Sequence, residues 1–277
     1  MKNKFLKIIF ISLLSLSFFK LVIAEEFIFK VSELEVSDNG NIYKGVNKGK
    51  ITTPAGMEII SDNFKYLKKI NQLEVYGNAR VLDITNDIEL NAEKIFYLKN
   101  EEIIYTVGKT LIKISNDYNI EGYDLKLFRD KMIISSLKET VIKDNFNNIY
   151  KVDEFEYFVN QEILKGKKIE ATTINENNDS DTYIFQDGFF DLKKNEFLAK
   201  DIKILFDKKS FGNNQNDPRL KAVTGYGDSD YTYLEKAVFT SCKNTDKCPP
   251  WKIRSKNVKH NKKKKQIVYK NAWLDVY

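Results

Sequence analysis

Apolar and polar residues alternate along most of this chain, in short runs rich in Ile, Val, Phe, Tyr and Thr. Asn, Asp, Gly and Lys collect between the runs. A period of two is typical of β-strands with one buried face, and the intervening residue types are those that form turns. After residue 24 no segment has a convincing helical period. The pattern therefore predicts an all-β protein.

The alternation recurs as a degenerate unit of about thirty residues. Each unit has a first strand with large apolar residues at alternate positions, a polar turn, and a second apolar strand. The first strands begin at Phe64, Ile95, Leu125, Phe155 and Phe189. The second strands span residues 73–81, 104–112, 133–142, 163–171 and 197–205. Since one such unit cannot bury its own apolar face, we expect the units to stack and share one core.

The two strands of a unit are joined by turns of about four residues, which favours antiparallel pairing over a parallel crossover. We therefore predict an elongated antiparallel β-jellyroll, or half-pipe, whose two facing sheets enclose the interior. The alternative is a right-handed parallel β-helix, although its coils usually contain several short strands per turn and more glycine at the corners.

One stripe of large residues should face this interior, because residues at alternate positions of a strand lie on the same side of the sheet. Its members are Phe64, Tyr66, Ile95, Tyr97, Leu125, Leu127, Phe155, Tyr157 and Phe189. Such a stripe is either an ordinary hydrophobic core or the lining of a lipid-binding trough that accepts acyl chains among Phe and Tyr rings. The residues alone leave both interpretations open.

The N-terminus has the pattern of a secretory signal peptide, predicted to span residues 1–24. Three lysines precede an apolar run at 8–19, and Val22-Ile23-Ala24 offers a cleavage site before Glu25. The run is too short for the roughly 20 residues of a membrane-spanning helix, and Lys20 interrupts it. We expect a soluble or peripherally attached exported chain.

The charge of the chain is unevenly distributed. The formal net charge is +6, and removal of the four lysines of residues 1–24 leaves 41 basic and 39 acidic residues. Residues 247–277 carry ten basic residues and one acid. This asymmetry fits contact with phosphates or an anionic membrane, and it equally fits a genome that encodes lysine wherever a solvated residue is tolerated.

The residue groups that carry catalysis are scarce. The single histidine, His260, lies in a lysine-rich turn without a neighbouring nucleophile, and Gly225-Tyr226-Gly227 lacks the rest of a phosphate-binding loop. The carboxylate pair Glu101-Glu102 falls in a predicted turn, where solvated surface is the simpler interpretation. We predict no catalytic residue, metal site or cofactor, and no nucleic-acid partner.

The only cysteines are Cys242 and Cys248. In an exported protein an even number of cysteines indicates disulfide chemistry, and two thiols without other ligands make a poor zinc site. The two residues could form a local bridge across residues 243–247. They could equally be reserved for cysteines elsewhere.

The C-terminal segment resembles the LPS-assembly protein family (LptD, also called OstA). The resemblance rests on Thr240-Ser241-Cys242, on Cys248-Pro249-Pro250-Trp251-Lys252-Ile253, and on Asn271-Ala272-Trp273-Leu274-Asp275-Val276. The upstream units look like the OstA-type domain that this family shares with the periplasmic bridge protein LptA. The Cys-Pro-Pro-Trp region is the specific part of the resemblance, whereas the repeats alone are a weak signal.

The resemblance implies a periplasmic β-jellyroll in residues 25–230 and, in 231–277, a cysteine-containing hairpin that leads to a transmembrane barrel. Its expected partners are lipopolysaccharide, an LptA-like bridge protein bound by edge-strand addition, and an LptE-like lipoprotein if a barrel is present. The sequence stops at Tyr277, where the barrel would begin, so we expect either a fragment or a truncated member. Cys242 matches a family cysteine that can bridge to the barrel.

The implied function is lipopolysaccharide transport and outer-membrane assembly. An exported carbohydrate-active β-helix is the alternative from a different class, and it would need an acidic cluster on one face. A third possibility, a structural adaptor with sheet edges that pair with neighbouring jellyrolls, is compatible with the first.

Overall fold

The structure is a computed structural model that describes residues 27–115, 117–174, 180–211, 215–244 and 249–277. The predicted signal peptide, residues 1–24, lies outside the described residues. The described residues form twenty β-strands and five short 3-10 turns. The first ten strands are β1 Ile28–Ser37, β2 Ile42–Thr52, β3 Met57–Ser61, β4 Asn63–Leu67, β5 Gln72–Asp83, β6 Ile88–Leu98, β7 Ile103–Ile114, β8 Tyr118–Tyr123, β9 Lys126–Phe128 and β10 Ile133–Ser136. The others are β11 Thr140–Asp144, β12 Ile149–Val152, β13 Glu154–Phe158, β14 Ile163–Ile174, β15 Ser180–Asp191, β16 Glu196–Leu205, β17 Arg219–Gly227, β18 Tyr231–Thr240, β19 Trp251–Asn261 and β20 Gln266–Val276.

All strand pairings among the described residues are antiparallel. Strands joined by short turns pair directly, as the turn lengths predict. The all-β, antiparallel prediction is therefore confirmed. The parallel β-helix is excluded for the described strands.

The sheet folds over itself along a line of bends in the middle of the long strands. Residues with left-handed backbone torsion mark this line: Lys48, Gly77, Gly108, Lys168, Asp201, Lys236 and Asn271. At the first of the glycines, Gly77, φ is 75° and the register with β6 shifts between Tyr76 and Ala79. The bends divide the sheet into an upper half-sheet, which contains β4, β9, β10 and β13, and a lower half-sheet, which contains β3, β8, β11 and β12.

The core lies between the half-sheets, in rows of side chains that face each other across successive strands. The upper row is Tyr66, Leu73, Tyr97, Ile104, Leu127, Ile134, Tyr157, Leu164, Phe190 and Phe197, all buried. The lower row includes Ile59, Val81, Leu90, Ile112, Ile120, Ile142, Tyr150, Tyr183, Ile204, Leu220 and Phe239, also buried. The Tyr118 ring of β8 lies 5.5 Å from the Tyr157 ring of β13, so the two half-sheets touch.

The prediction that Phe189 faces the interior is wrong. Phe190, not Phe189, lies opposite Leu164 in the upper row, and Gly188 lies opposite Gly166 at the next inward position. A shift of one residue moves a strand side chain to the other face of the sheet, so the half-buried Phe189 points outward. Glycine suits the inward position, because a Cβ at Gly188 would lie 2.9 Å from the Ile169 Cδ1 atom.

The two ends of the sheet are edge strands. Among the described residues, β1 pairs only with β2 and β20 pairs only with β19. Strands β17 and β18 pair across the proposed boundary at residue 230, so the sheet continues there and the domain division stays a prediction. Within the described part of the chain, no helix is long and apolar enough to cross a membrane.

Candidate functional site

Eight of the nine predicted trough residues lie together inside the upper half-sheet. Phe64, Tyr66, Ile95, Tyr97, Leu125, Leu127, Phe155 and Tyr157 are all buried. The exception is Phe189, which lies on the outer face. The period-two alternation therefore brings the stripe together over four units, although its role in lipid binding stays a prediction.

The interior is filled by side chains. The Tyr157 ring is fully buried, and Ile104, Ile112 and Leu164 are equally inaccessible. A surface depression of about 480 Å³ lies on β1, β2, β4 and β5, but Phe64 is the only trough residue that lines it. In this conformation the stripe is packed as a core, so an acyl chain would have to separate the half-sheets or enter at an end.

Aromatic rings close the interior at its N-terminal end. The Phe27 ring lies 5.0 Å from the Tyr66 ring and 5.9 Å from the Tyr97 ring in edge arrangements. Phe29 stacks on Phe64 at 5.0 Å. Such ring pairs add about 0.5–1.5 kcal/mol each beyond the area they bury. Strand β1 is thereby fixed to the core although its outer edge is unpaired.

The side opposite the bends is the mouth, where the turns of the upper and lower half-sheets approach each other. Arg129, after β9 of the upper half-sheet, donates a hydrogen bond from Nε to Asp83 Oδ2 at 2.8 Å, and Asp83 ends β5 in the lower half-sheet. The side chains are 8% and 1% exposed. Burial by itself would lower the pKa of Arg129, but its hydrogen bond to Asp83 and the Asp83 charge outweigh this and raise it. The pair is a buried ion pair across the mouth.

Two further groups join this ion pair. Arg129 also donates to Glu102 Oε2, and the Tyr97 hydroxyl donates to Glu102 Oε1 at 2.8 Å. Burial, followed by the hydrogen bond to Glu102, raises the pKa of Tyr97. Every charged group of this network therefore has a partner, which is the condition for burying charge at tolerable cost.

A second contact crosses the mouth one unit further along. The Tyr118 hydroxyl, at the start of β8, donates to Glu162 Oε2 at 2.9 Å, and Glu162 lies in the turn before β14. Burial raises the pKa of Tyr118, and the neighbouring Tyr157 and Glu162 raise it further. The tyrosine thus stays a neutral donor.

The C-terminal part of the mouth is polar but incompletely hydrogen-bonded. Lys262 Nζ donates to the Asp228 carbonyl oxygen at 2.6 Å and lies 5.6 Å from the centre of the Tyr183 ring. His260 Nδ1 is buried and has no hydrogen-bond partner among the described residues. Burial, followed by the charge of Lys262, lowers the pKa of His260 to about 4. Burial also lowers the pKa of Lys262.

The sequence missed these contacts across the mouth. The only available signal for the C-terminal group was that His260 is the single histidine of the chain. The structure places its ring inside the sheet, with Phe206 at 5.3 Å, and not on a solvated turn.

The structure describes only one cysteine of the predicted disulfide, because Cys248 lies outside the described residues. Cys242 follows β18, and its Sγ atom lies 3.8 Å from the Trp251 carbonyl oxygen, which also accepts a 2.8 Å hydrogen bond from Thr240 Oγ1. The pairing of the two cysteines stays a prediction. In the described part of the chain no group of His, Cys, Asp and Glu side chains is placed to hold a metal ion.

No protein-family model matches the chain. No curated protein matches it. Among solved structures it is similar to LptH, the LptA-homologous periplasmic component of the lipopolysaccharide transport device of Pseudomonas aeruginosa, with 11% identity and a TM-score of 0.33. The overlap covers 52% of this chain and 82% of LptH. A likeness this loose establishes neither a common fold nor a common function, so any functional assignment rests on the residues of this chain.

Proposed function

We propose that this protein is a non-enzymatic carrier in lipopolysaccharide transport, which holds acyl chains between its half-sheets and passes them toward the outer membrane. The observation that carries the proposal is the lower inward row, in which every residue from Ile59 to the open edge at β20 is apolar or aromatic. There Leu274, opposite Ile253 in the lower row, is 63% exposed. The C-terminal sequence motifs support the same function.

The binding energy of such a carrier would come from burying hydrocarbon. Each methylene of an acyl chain removed from water contributes about 0.8 kcal/mol, so several chains need neither a cofactor nor a covalent bond. The interior offers Phe and Tyr rings and aliphatic side chains for this contact.

Cations at the mouth match the phosphates of the proposed ligand. The turn between β19 and β20 carries Lys262, Lys263, Lys264 and Lys265, next to the end where the inward rows reach solvent. Lys263 contacts Asp230 at 2.9 Å, and the Lys264 side chain is exposed. We place the lipid head group at this turn, with the acyl chains entering between the β19–β20 edge and Phe239 and extending along the inward rows toward Tyr157 and Tyr97.

Site-specific photo-crosslinking in cells tests the proposal. Probes at Tyr97 and Tyr157, in the upper row, should label lipopolysaccharide, whereas probes at Lys65 and Glu156, on the outer face of the same strands, should not. Equal labelling of both sets, or none at the inward positions, would contradict a lipid-binding interior and leave it as an ordinary core.

We further propose that the free edge of β1 receives an LptA-like bridge protein by strand addition, because an unpaired strand presents free N–H and C=O groups. Replacing Ile28, which is 54% exposed, by Pro should weaken capture of the bridge protein, whereas Ile28→Ala should not. Equal capture by both variants would contradict edge pairing. The LptE-like lipoprotein stays a proposal of the same kind.

A further inference from the structure

The outward-facing Phe189 belongs to a continuous row on the outer face of the upper half-sheet. Six residues lie opposite one another in succession on β15 to β20, and we call them the outer row: Phe189, Leu198, Tyr226, Tyr233, Lys259 and Val268. Five of the six have apolar or aromatic side chains. On the outer face of an antiparallel sheet, polar residues are the usual occupants of such positions.

The outer row is accessible to solvent. Leu198 is 60% exposed, Tyr226 is 56% exposed and Val268 is 58% exposed. The rings of Tyr226 and Tyr233 stack with their centres 5.0 Å apart and their planes 20° apart. Single exposed apolar residues need no explanation, but neighbours on consecutive strands form a contiguous patch, which usually marks an interaction surface.

Lysines lie in the outer row and at its β14 end, with Glu156 opposite Lys165 and Glu235 two residues after Tyr233 among the neighbouring acids. Lys259 Nζ lies 4.0 Å from the centre of the Tyr231 ring, and Lys165 lies opposite Phe189 at the other end of the row. Within the described ranges, Lys165, Lys200, Lys259 and Lys270 form no ion pair, whereas the nearby acids Asp191 and Asp230 are paired with Lys194 and Lys263. Asp187 lies opposite Lys200 in the adjacent row, and Glu196 lies beside Asp191 across the strands. The outer row itself contains no acid.

We propose that the outer row docks this protein onto an anionic phospholipid surface. Tyrosines combine an apolar ring with a polar hydroxyl, and lysines extend a hydrocarbon stem to a charged end, so both suit the boundary between acyl chains and head groups. The lysines then complement the negative surface. This inference does not depend on lipid binding inside the sheet.

Vesicle flotation of the full chain tests the inference. The protein should float with vesicles of phosphatidylcholine that contain phosphatidylglycerol and should stay in solution with phosphatidylcholine alone. The double variant Leu198→Ser, Tyr226→Ser should bind about ten-fold or more weakly, since each large apolar side chain contributes substantially when buried. The matched control is Tyr76→Ser, Val107→Ser, at 42% and 47% exposure on the outer face of β5 and β7, which should bind like the unmodified chain.

A second pair of variants tests the contribution of the lysine charges. Lys165→Gln with Lys259→Gln should weaken flotation by roughly five-fold per lysine, whereas Lys65→Gln with Lys126→Gln on the same face should not. Thermal unfolding by circular dichroism reports whether each variant is folded. The proposal would be overturned by equal losses of flotation in the test and control pairs, or by flotation with vesicles that lack phosphatidylglycerol. It would also be overturned if size-exclusion chromatography showed a dimer whose interface buries Tyr226. Residues 1–24 are present in all variants, so they cannot produce a difference in flotation between the test and control variants.

Discussion

The mouth is built differently in the two halves of the molecule. In the N-terminal half, the Arg129–Asp83 ion pair crosses the gap, and Glu102 and Tyr97 support Arg129 from its own side. Toward β20, His260 Nδ1 is buried without a hydrogen-bond partner among the described residues, and Leu274 leaves the lower row exposed. Buried polar groups are normally satisfied, so an unsatisfied group needs an explanation. The Tyr157 hydroxyl, on β13, is also buried without a hydrogen-bond partner among the described residues, so the two halves differ in the ion pair across the mouth and in the exposure of Leu274.

The largest effect should come from breaking the closed half. Arg129→Met leaves the buried Asp83 carboxylate with hydrogen bonds from Asn86 but without its cationic partner, which should lower the free energy of unfolding by about 3–5 kcal/mol. Guanidinium denaturation measures it, and Asp83→Asn added to Arg129→Met should restore much of the loss. Lys109→Met, in the exposed pair with Glu121, is the control and should have no measurable effect. A loss below about 1 kcal/mol for Arg129→Met would mean that the mouth is open in solution.

Two leucines at inward positions of the lower row compare the buried part of the sheet with its exposed β20 edge. Leu220 and Leu274 lie in the lower row, but Leu220 is fully buried and Leu274 is 63% exposed. Leu220→Ala should cost about 2–5 kcal/mol through lost contacts and a residual cavity, whereas Leu274→Ala should change stability by no more than about 0.5 kcal/mol. Urea denaturation measures both. A similar cost for the two variants would show that the β20 edge is covered in solution.

The pH dependence of stability probes the open end through His260. Its pKa is lowered to about 4 in the folded protein, whereas an unperturbed histidine titrates near 6.5. The unfolded chain therefore binds the proton first, and stability should fall as the pH drops from about 6.5 toward 4, by up to about 3 kcal/mol. Melting temperatures measured over this range should fall more steeply for the unmodified chain than for His260→Gln. Identical slopes would place the imidazole in water.

The smallest effect concerns the loop that joins β18 to β19, next to the open end. We expect a local disulfide between Cys242 and Cys248. A loop this small contributes only about 2 kcal/mol through chain entropy, so reduction should lower stability modestly. Thiol mapping by mass spectrometry of oxidised periplasmic protein checks the pairing. Two free thiols would refute it and leave Cys242 as a small apolar residue.

The fold and most of the stripe could be predicted because period-two alternation depends only on neighbouring residues. Tyr97 and Tyr157 needed nothing more than their spacing to be placed inward. The prediction for Phe189 was wrong because the register of its strand, which begins at Ser180, is fixed by pairing with β14. The bend of β14 lies at Lys168, where no glycine marks it in the sequence. A repeat counted by aromatic residues cannot detect such a shift.

The contacts across the mouth could not be predicted from the sequence. Asp83 and Arg129 are 46 residues apart, and they meet only because the sheet folds over at its bends. Neither the identity of the two residues nor their local pattern distinguishes them from the many solvated charges at other turns. Whether the interior is filled or hollow depends on packing in three dimensions, which alternation does not encode.

The successive pairing of inward residues has a consequence for how such a protein can change size. Each strand advances the interior by about 4.8 Å, so deleting or duplicating one two-strand unit changes its length by about 10 Å while its cross-section stays the same. Because each unit contacts mainly its neighbours, such a change leaves the end strands and their surfaces intact. Interior length is therefore a quantity that evolution can adjust in whole units, independently of what the two ends recognise.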